Sequence, residues 1–295
     1  MIVYACVVHD ADKYERCAEP GLLRVTDSDP DAELLAQVSA GSIFHNYNLI
    51  LDRVGGDDRL EALVIVHQDA EIVDPEFSRK VREQLADPEV AIVGCAGAVG
   101  VRSIAWWEGA VTWGSFTHRY EEMGGGEVPA VSWAANRSYA RTGEVDSVDG
   151  FVLGLSPWAI RNLRFDESLG RQHGYDFDLC LQARSAGKKV VTADLRVIHH
   201  HSLTLLDDVD GWIDSHMRAA DKWEGQLPGV ESRNGDWKER ARRAEAEAAA
   251  YRLQAGAAEL KREAAQRQLH LTRLSTSWKL TAPLRALSGV FKRRG

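Results

Sequence analysis

The sequence has no apolar run approaching the ~18–20 residues that cross a bilayer. It also lacks the basic start, apolar centre and small-residue cleavage site of a secretory leader, so a cytoplasmic protein is expected. Its four cysteines, Cys6, Cys17, Cys95 and Cys180, show no paired metal-ligand spacing. Most lie in apolar surroundings, which points to reduced core thiols and argues against a disulfide framework. No glycine interrupts "VVHDADKYERC" (7–17), so the phosphate-cradling turn that a nucleotidyltransferase would place after a first strand is missing.

The chain has 295 residues, 44% of them apolar, enough for one large domain and an appendage. Its net charge of −8 hides a split. Residues 1–236 carry 22 Lys and Arg against 39 Asp and Glu, and residues 237–295 carry 14 against 5, so about −17 stands beside about +9. The acidic body excludes a general nucleic-acid binder, while the basic end suits an anionic surface such as the cytoplasmic leaflet.

The body alternates strand and helix signals. "IVYACVVH" (2–9), "LLRVT" (22–26), "ALVIVH" (62–67) and "VAIVG" (90–94) read as four strands buried on both faces. Residues 29–54 and 74–88 have helical spacing, with Asp or Asp-Pro at their starts. That order predicts an α/β fold with an open, mostly parallel, Rossmann-like sheet, whose ligands gather beyond the carboxyl ends of the strands.

One strand ends at that edge in an unusual way. In "LVIVHQDAEIVDPEF" (63–77) an apolar run delivers His67, Gln68 and Asp69, with Glu71 two residues on. Such a carboxylate-rich rim either binds a hard divalent cation or caps a turn before Asp74-Pro75. Downstream, "YDFDLCLQARSAG" (175–187) reads as a helix with Asp176 and Asp178 in its first turn and Gly187 at its end. "KVVTADLRVIHHH" (189–201) is strand-like and ends in three histidines, of which His199 and His201 share one face. Trp106, Trp107, Trp113 and Trp133 lie in a poorly periodic, Gly-rich stretch, where sugar stacking and core packing are both open, with at least two expected in the core.

"HQDAEI", "VDGFVLGLS", "LRFDESLGRQHGYDFDLCLQARSAGKKV" and "VIHHHS" follow one another in the order and spacing of signature blocks. Together they resemble bacterial family 2 glycosyltransferases with the GT-A fold, in the branch whose metal motif reads His-Gln-Asp. The resemblance covers about residues 1–206. It implies that Asp69 and His199 hold Mn²⁺ or Mg²⁺ on the diphosphate of a nucleoside-diphosphate sugar, with Gln68 in the same motif. Tyr175-Asp176 falls on the family's Glu-Asp pair, making Asp176 the base toward the acceptor hydroxyl, with Asp178 as its rival. Asn48 matches an asparagine near the nucleotide, and Gly150 a backbone close to the donor sugar, although Asp149-Gly150 also reads as a turn. His9 and Asp10, at the end of the first strand, and Asp27, at the end of the second, would face the base and ribose. The family's Pro-x-Tyr-Asn and Asp-Asp-Gly-Ser are absent, which leaves the nucleotide open.

From Asp236 the chain is rich in Ala, Glu, Arg and Leu and reads as a long helix, reached through a connecting segment at 207–236. Leu253, Leu260, Arg267 and Leu274, with Ala257, Ala264, Leu271 and Trp278, repeat at seven-residue spacing as a weak coiled-coil seam. "SWKLTAPLRALSGVFKRRG" (277–295) mixes apolar and basic residues, as a helix lying in a bilayer interface does. "STSWKLTAPLRAL" resembles the endings of some bacterial glycosyltransferases that build surface glycans. The expectation is a metal-dependent, inverting glycosyltransferase acting on a glycan or lipid-linked acceptor, with the tail as a peripheral contact to the inner face of the plasma membrane or a homo-oligomer seam. A nucleotidyltransferase and a non-catalytic carbohydrate-binding scaffold are the competing classes.

Overall fold

The computed structural model describes residues 1–109, 111–120, 127–129, 143–201, 208–226 and 261–281. It divides into two compact units, Met1–Ser232 and Arg233–Gly295. Within the first, the strands are β1 (Ile2–Val8), β2 (Ala32–Val38), β3 (Ala62–Val66), β4 (Ala70–Ile72), β5 (Val90–Gly94), β6 (Ala96–Val99), β7 (Val111–Gly114), β8 (Phe116–Tyr120), β9 (Glu127–Pro129), β10 (Gly143–Val145), β11 (Ser147–Val148), β12 (Val152–Leu155), β13 (Lys189–Thr192) and β14 (Val197–His201). The helices are α1 (Ala11–Arg16), α2 (Ala18–Ser28), α3 (Ile43–Val54), α4 (Phe77–Leu85), α5 (Pro157–Asn162), α6 (Tyr175–Ser185) and α7 (Val209–Lys222).

The main sheet has the order β10-β13-β5-β12-β3-β1-β2. Five strands run one way, and β12 and β10 oppose them. Every residue of β3 and of β5 is buried, which is why both read as unbroken apolar runs. Cores lie on both faces. Tyr4, Val64, Phe77 and Val81 fill one, and Ala5, Phe44, Tyr47, Ile50 and Ile65 the other. A second sheet, β4-β14-β8-β9, crosses the carboxyl end of β3, and β14 pairs with β4 so that His199 lies opposite Ala70.

The order of elements at 18–38 corrects the sequence reading. "LLRVT" is the C-terminal half of α2, where Ala18, Gly21, Leu22 and Val25 are buried at helical spacing. The second strand is instead "AELLAQV", pairing in parallel with all of β1 from Ile2↔Ala32 to Val8↔Val38. Alanine, glutamate, leucine and glutamine favour helix, but seven residues of ladder at a sheet edge override that preference. The helical reading of 29–54 thus holds only from Ile43, where the Ser42 side chain accepts from the His45 amide.

The stretch 207–226 is more than a connector. α7 packs on the body through Ser215 and Ala219, and Trp223 beyond its end is buried. All four cysteines are free and buried. Trp106 is buried, Trp107 and Trp113 pack partly buried against the cores, and Trp133 lies outside the described residues. In the second unit, residues 261–274 are helical and exposed nearly throughout. Ser275 then breaks the helix and caps a new one, Thr276–Leu280, by accepting from the Trp278 amide. The seven-residue seam is therefore interrupted before Trp278; Leu253, Ala257 and Leu260 lie outside the described residues. Among the described residues, no helix is long and apolar enough to cross a membrane.

Candidate active site

Strand β3 ends at Val66, and the next three residues turn across the carboxyl edge of the sheet before β4 begins. The turn is held by its backbone: the His67 amide donates to the Phe151 carbonyl, the Ala70 amide to that of His67, and the His200 amide to that of Asp69. Three ligand-type side chains converge there. His67, Asp69 and His199 place their ligating atoms within 4.8 Å of one another. His67 Nδ1 lies 3.9 Å and His199 Nε2 3.6 Å from Asp69 Oδ1, while Lys13 Nζ lies 3.6 Å from Oδ2.

Each member of the triad is fixed from behind. The His199 ring stacks on Phe151 at 4.5 Å between centroids and 5° between planes. His67 Nε2 hydrogen-bonds the Tyr175 hydroxyl at 2.7 Å, which turns Nδ1 toward Asp69. Burial works against ionisation of Asp69, yet the His199 hydrogen bond and the charges of His199, His67 and Lys13 hold its carboxyl well below the usual range. Two imidazoles and one anionic carboxylate, all orientated by their neighbours, fit a divalent cation.

Gln68, 5% exposed, faces the other way. Its Oε1 accepts from the His9 and Asp10 amides at 3.0 and 3.1 Å, and its Nε2 meets His9 Nε2 at 2.9 Å. This ties the end of β1 to the metal turn, so His9, Asp10 and Gln68 share one edge. Asp10 also caps α1 by accepting from the Lys13 amide.

Helix α6 presents Asp176 from its first turn. Gly174 precedes it at φ 81, a left-handed conformation that favours glycine. Asp176 Oδ2 accepts from the Gly150 amide at 2.8 Å, and Oδ1 from the Phe177 amide. A side chain at Gly150 would put its Cβ 2.2 Å from the Tyr175 hydroxyl, so glycine is required for Tyr175 to reach His67. A helix N-terminus lowers a carboxyl's pKa, but burial, together with the charge of Asp149, pushes that of Asp176 up to about 7. Asp149 is itself held by the Trp106 indole and the Phe151 amide.

Asp178, the rival base, is fully buried. It accepts from Gln182 Nε2 and Lys222 Nζ at 2.7 Å each and from Trp223 Nε1 at 2.8 Å. Its Oδ1 anchors Lys222 of α7 and the following Trp223, and its Oδ2 is held by Gln182 within α6.

Other expected residues fall elsewhere. Asp27 is exposed on α2 and is not at a strand's carboxyl end, because the strand assigned there is a helix. The corresponding end of β2 is Val38–Ser39, braced by Asn46, which accepts from the Ala40 amide and donates to Ser39 Oγ and the Ser42 carbonyl. Asn48 is engaged as a clamp, donating to the Phe165 carbonyl and accepting from the Phe165 amide. Glu71 points away from the triad, toward His200, Arg24 and Arg119. The His201 side chain lies outside the described residues. Sequence reasoning left His67 out of the candidate ligand set, although it opens the His-Gln-Asp motif, and it missed Lys13 and the hydrogen bond between Tyr175 and His67.

The sequence model of the glycosyltransferase-like family matches residues 3–211. This chain belongs to that glycosyltransferase family. The streptomycin biosynthesis protein StrF of Streptomyces griseus is 28% identical over 207 residues, covering 68% of this glycosyltransferase and 67% of StrF. Among solved structures, the mannosyltransferase PcManGT from Pyrobaculum calidifontis, in complex with GDP-Man and Mn²⁺, is similar at 15% identity. The likeness spans 97% of this chain and 84% of that one, with a TM-score of 0.46. GalNAc-T7 with UDP, GalNAc and Mn²⁺ is similar at 8% identity over 76% of this chain and 48% of its own, with a TM-score of 0.48. The glycosyltransferase therefore carries its family signature on the unit that holds the triad and Asp176, and the sheet is the mixed, mostly parallel one expected of a GT-A domain.

Proposed function

We propose that this glycosyltransferase is metal-dependent and inverting, and moves a sugar from a nucleoside-diphosphate sugar to an acceptor hydroxyl. The observation that carries this reading is the convergence of His67, Asp69 and His199 at the carboxyl edge of the sheet, joined through Tyr175 to the helix that bears Asp176. A cation held by these three residues would supply Lewis-acid stabilisation of the donor's diphosphate. Two imidazoles among the donors favour Mn²⁺ over Mg²⁺. Were a cation held on Nδ1, His67 would carry its proton on Nε2 and give the hydrogen bond to Tyr175 Oη.

Asp176 accepts the proton of the acceptor hydroxyl. As the acceptor oxygen bonds to the anomeric carbon, the bond from that carbon to the phosphate oxygen breaks, and its electron pair leaves with the nucleoside diphosphate. One displacement from the opposite face inverts the centre. A base whose pKa is about 7 accepts a proton more readily than an ordinary carboxylate and is ionised above that pH. Around the donor, the paired amides of His9 and Asp10 line the β1 end. Val38, 81% exposed at the end of β2, offers an apolar surface for the base, in place of Asp27.

The acceptor is a surface glycan or its lipid-linked precursor, and the basic tail brings the catalytic unit to the cytoplasmic face of the membrane. In support, the tail's described helices expose Leu269, Leu271, Leu274, Trp278 and Leu280 among basic residues. The test is turnover of UDP-, GDP- and dTDP-sugars with Mn²⁺, with Mg²⁺ or with chelator, and NMR of the product anomer. The reading expects Mn²⁺-dependent release of nucleoside diphosphate and an inverted product. Metal-independent turnover, or retention, overturns it.

A further inference from the structure

Lys13 stands in the first turn of α1, which begins directly after the Asp10 cap. Its own amide is fixed on Asp10 Oδ1 at 3.0 Å, so the side chain can move while the backbone stays. The ammonium lies 3.6 Å from Asp69 Oδ2, with side-chain exposures of 29% for Lys13 and 20% for Asp69. The two histidines address Oδ1 instead. One carboxylate oxygen thus faces the ligand set and the other faces an internal cation.

We propose that Lys13 is a resident counter-ion of Asp69 which a divalent cation must displace, and that the displaced ammonium then pairs with the donor's diphosphate. The inference rests on the metal-dependent reading above. Charge balance favours it. A divalent cation and Lys13 together carry as much positive charge as Asp69 and the two ionised phosphates of a nucleoside-diphosphate sugar carry negative, so the closed site is neutral, and neutrality lowers the cost of shielding it from water. When the bond from the anomeric carbon to phosphate breaks, the electron pair stays on the departing oxygen, and Lys13 stabilises that new charge without giving up a proton. A lysine suits the task, because its point charge on a flexible stem re-aims where an arginine fork is bound to one geometry.

Displacement and re-pairing predict effects of opposite sign. Calorimetric titration of the metal-free full chain with Mn²⁺ should show Lys13→Met binding Mn²⁺ about two- to fivefold more tightly than wild type, since the Asp69 charge is no longer shared with an ammonium. With Mn²⁺ saturating, the same variant should bind whichever of UDP, GDP or dTDP the wild type prefers about two- to fivefold more weakly. Lys13→Arg, which keeps the charge, should keep Mn²⁺ affinity near wild type. Unchanged or weakened Mn²⁺ affinity in Lys13→Met overturns the displacement, and unchanged nucleotide affinity overturns the re-pairing. If wild type itself binds no Mn²⁺, the metal-dependent reading fails and this inference falls with it.

Discussion

Replacing Asp176 by asparagine should separate catalysis from stability. In the folded protein its carboxyl rises from an ordinary 3.8 to about 7, through burial first and the charge of Asp149 second. The native state therefore holds this proton more tightly than the unfolded chain, and ionising Asp176 destabilises the fold. The cost sets in as pH rises past about 3.8 and is complete above about 7. At about 1.4 kcal/mol per pH unit the span amounts to about 4 kcal/mol. Both carboxyl oxygens accept from amides, Oδ2 from Gly150 and Oδ1 from Phe177, and asparagine offers only one acceptor oxygen, so one amide loses its partner and the net gain for Asp176→Asn at pH 8 is about 1–2 kcal/mol. For a unit of this size that is a rise in melting temperature of about 3–6 °C, while transfer falls by about 10²–10⁴-fold. Scanning calorimetry of the full chain at pH 8 and pH 4.5 reads the first effect and a transfer assay the second. The gain should vanish at pH 4.5, where the wild-type carboxyl is protonated in the fold and only about 1 kcal/mol of the cost has set in, less than the lost hydrogen bond. A variant no more stable than wild type at pH 8, or a gain equal at both pH values, refutes the reasoning; near-normal turnover removes Asp176 from the chemistry.

Three further outcomes follow from the same site. Below about pH 7, kcat/KM should fall about tenfold per pH unit as Asp176 takes up its proton; a flat profile from pH 5.5 to 7 would exclude it as the base. Tyr175→Phe keeps the ring packed among Phe44, Tyr47 and Phe165 but removes the hydroxyl on His67, so Mn²⁺ affinity should drop about 10–100-fold in a calorimetric titration; full affinity would show that His67 is not a ligand. Deleting residues 276–295 should leave hydrolysis of the soluble donor intact while weakening binding to anionic vesicles and transfer to a lipid acceptor, each lost Lys or Arg being worth about 1 kcal/mol at the surface; a change of sedimenting mass with no vesicle binding by the full chain would make the tail an oligomerisation helix.

The parts of the fold that were legible in the sequence are those where one physical signal dominates. β1, β3 and β5 are apolar throughout because they are covered on both faces, and α4 and α6 carry helical spacing with recognisable ends. The edge strand β2 was hidden, since Leu35 alone in it is buried and its residues prefer helix; what makes it a strand is pairing with β1, a long-range fact. That error moved one expected ligand residue, Asp27, to the wrong element. The candidate site was legible where it follows a strand's end, as for Asp69 and His199, which the fold brings together, and where a motif quoted it, as for Asp176, the proposed base. Lys13 and Asp149 were illegible because their roles come from distance: a lysine on α1 over the motif turn, and a carboxylate one residue before Gly150 whose charge reaches Asp176. Asp178, the rival to Asp176 by sequence, is occupied by Lys222 of α7 and by the following Trp223.

The central claim is that the triad holds the cation through which the donor binds, and calorimetry of nucleoside diphosphate binding tests it directly. Wild type and Asp69→Ala are titrated with UDP, GDP and dTDP, each with Mn²⁺ and with chelator. The account predicts that one nucleotide binds wild type in a strictly Mn²⁺-dependent manner, and that Asp69→Ala loses this binding at every Mn²⁺ concentration tried. Equal affinity in wild type and Asp69→Ala with Mn²⁺ present, or binding by wild type that survives the chelator, would contradict it.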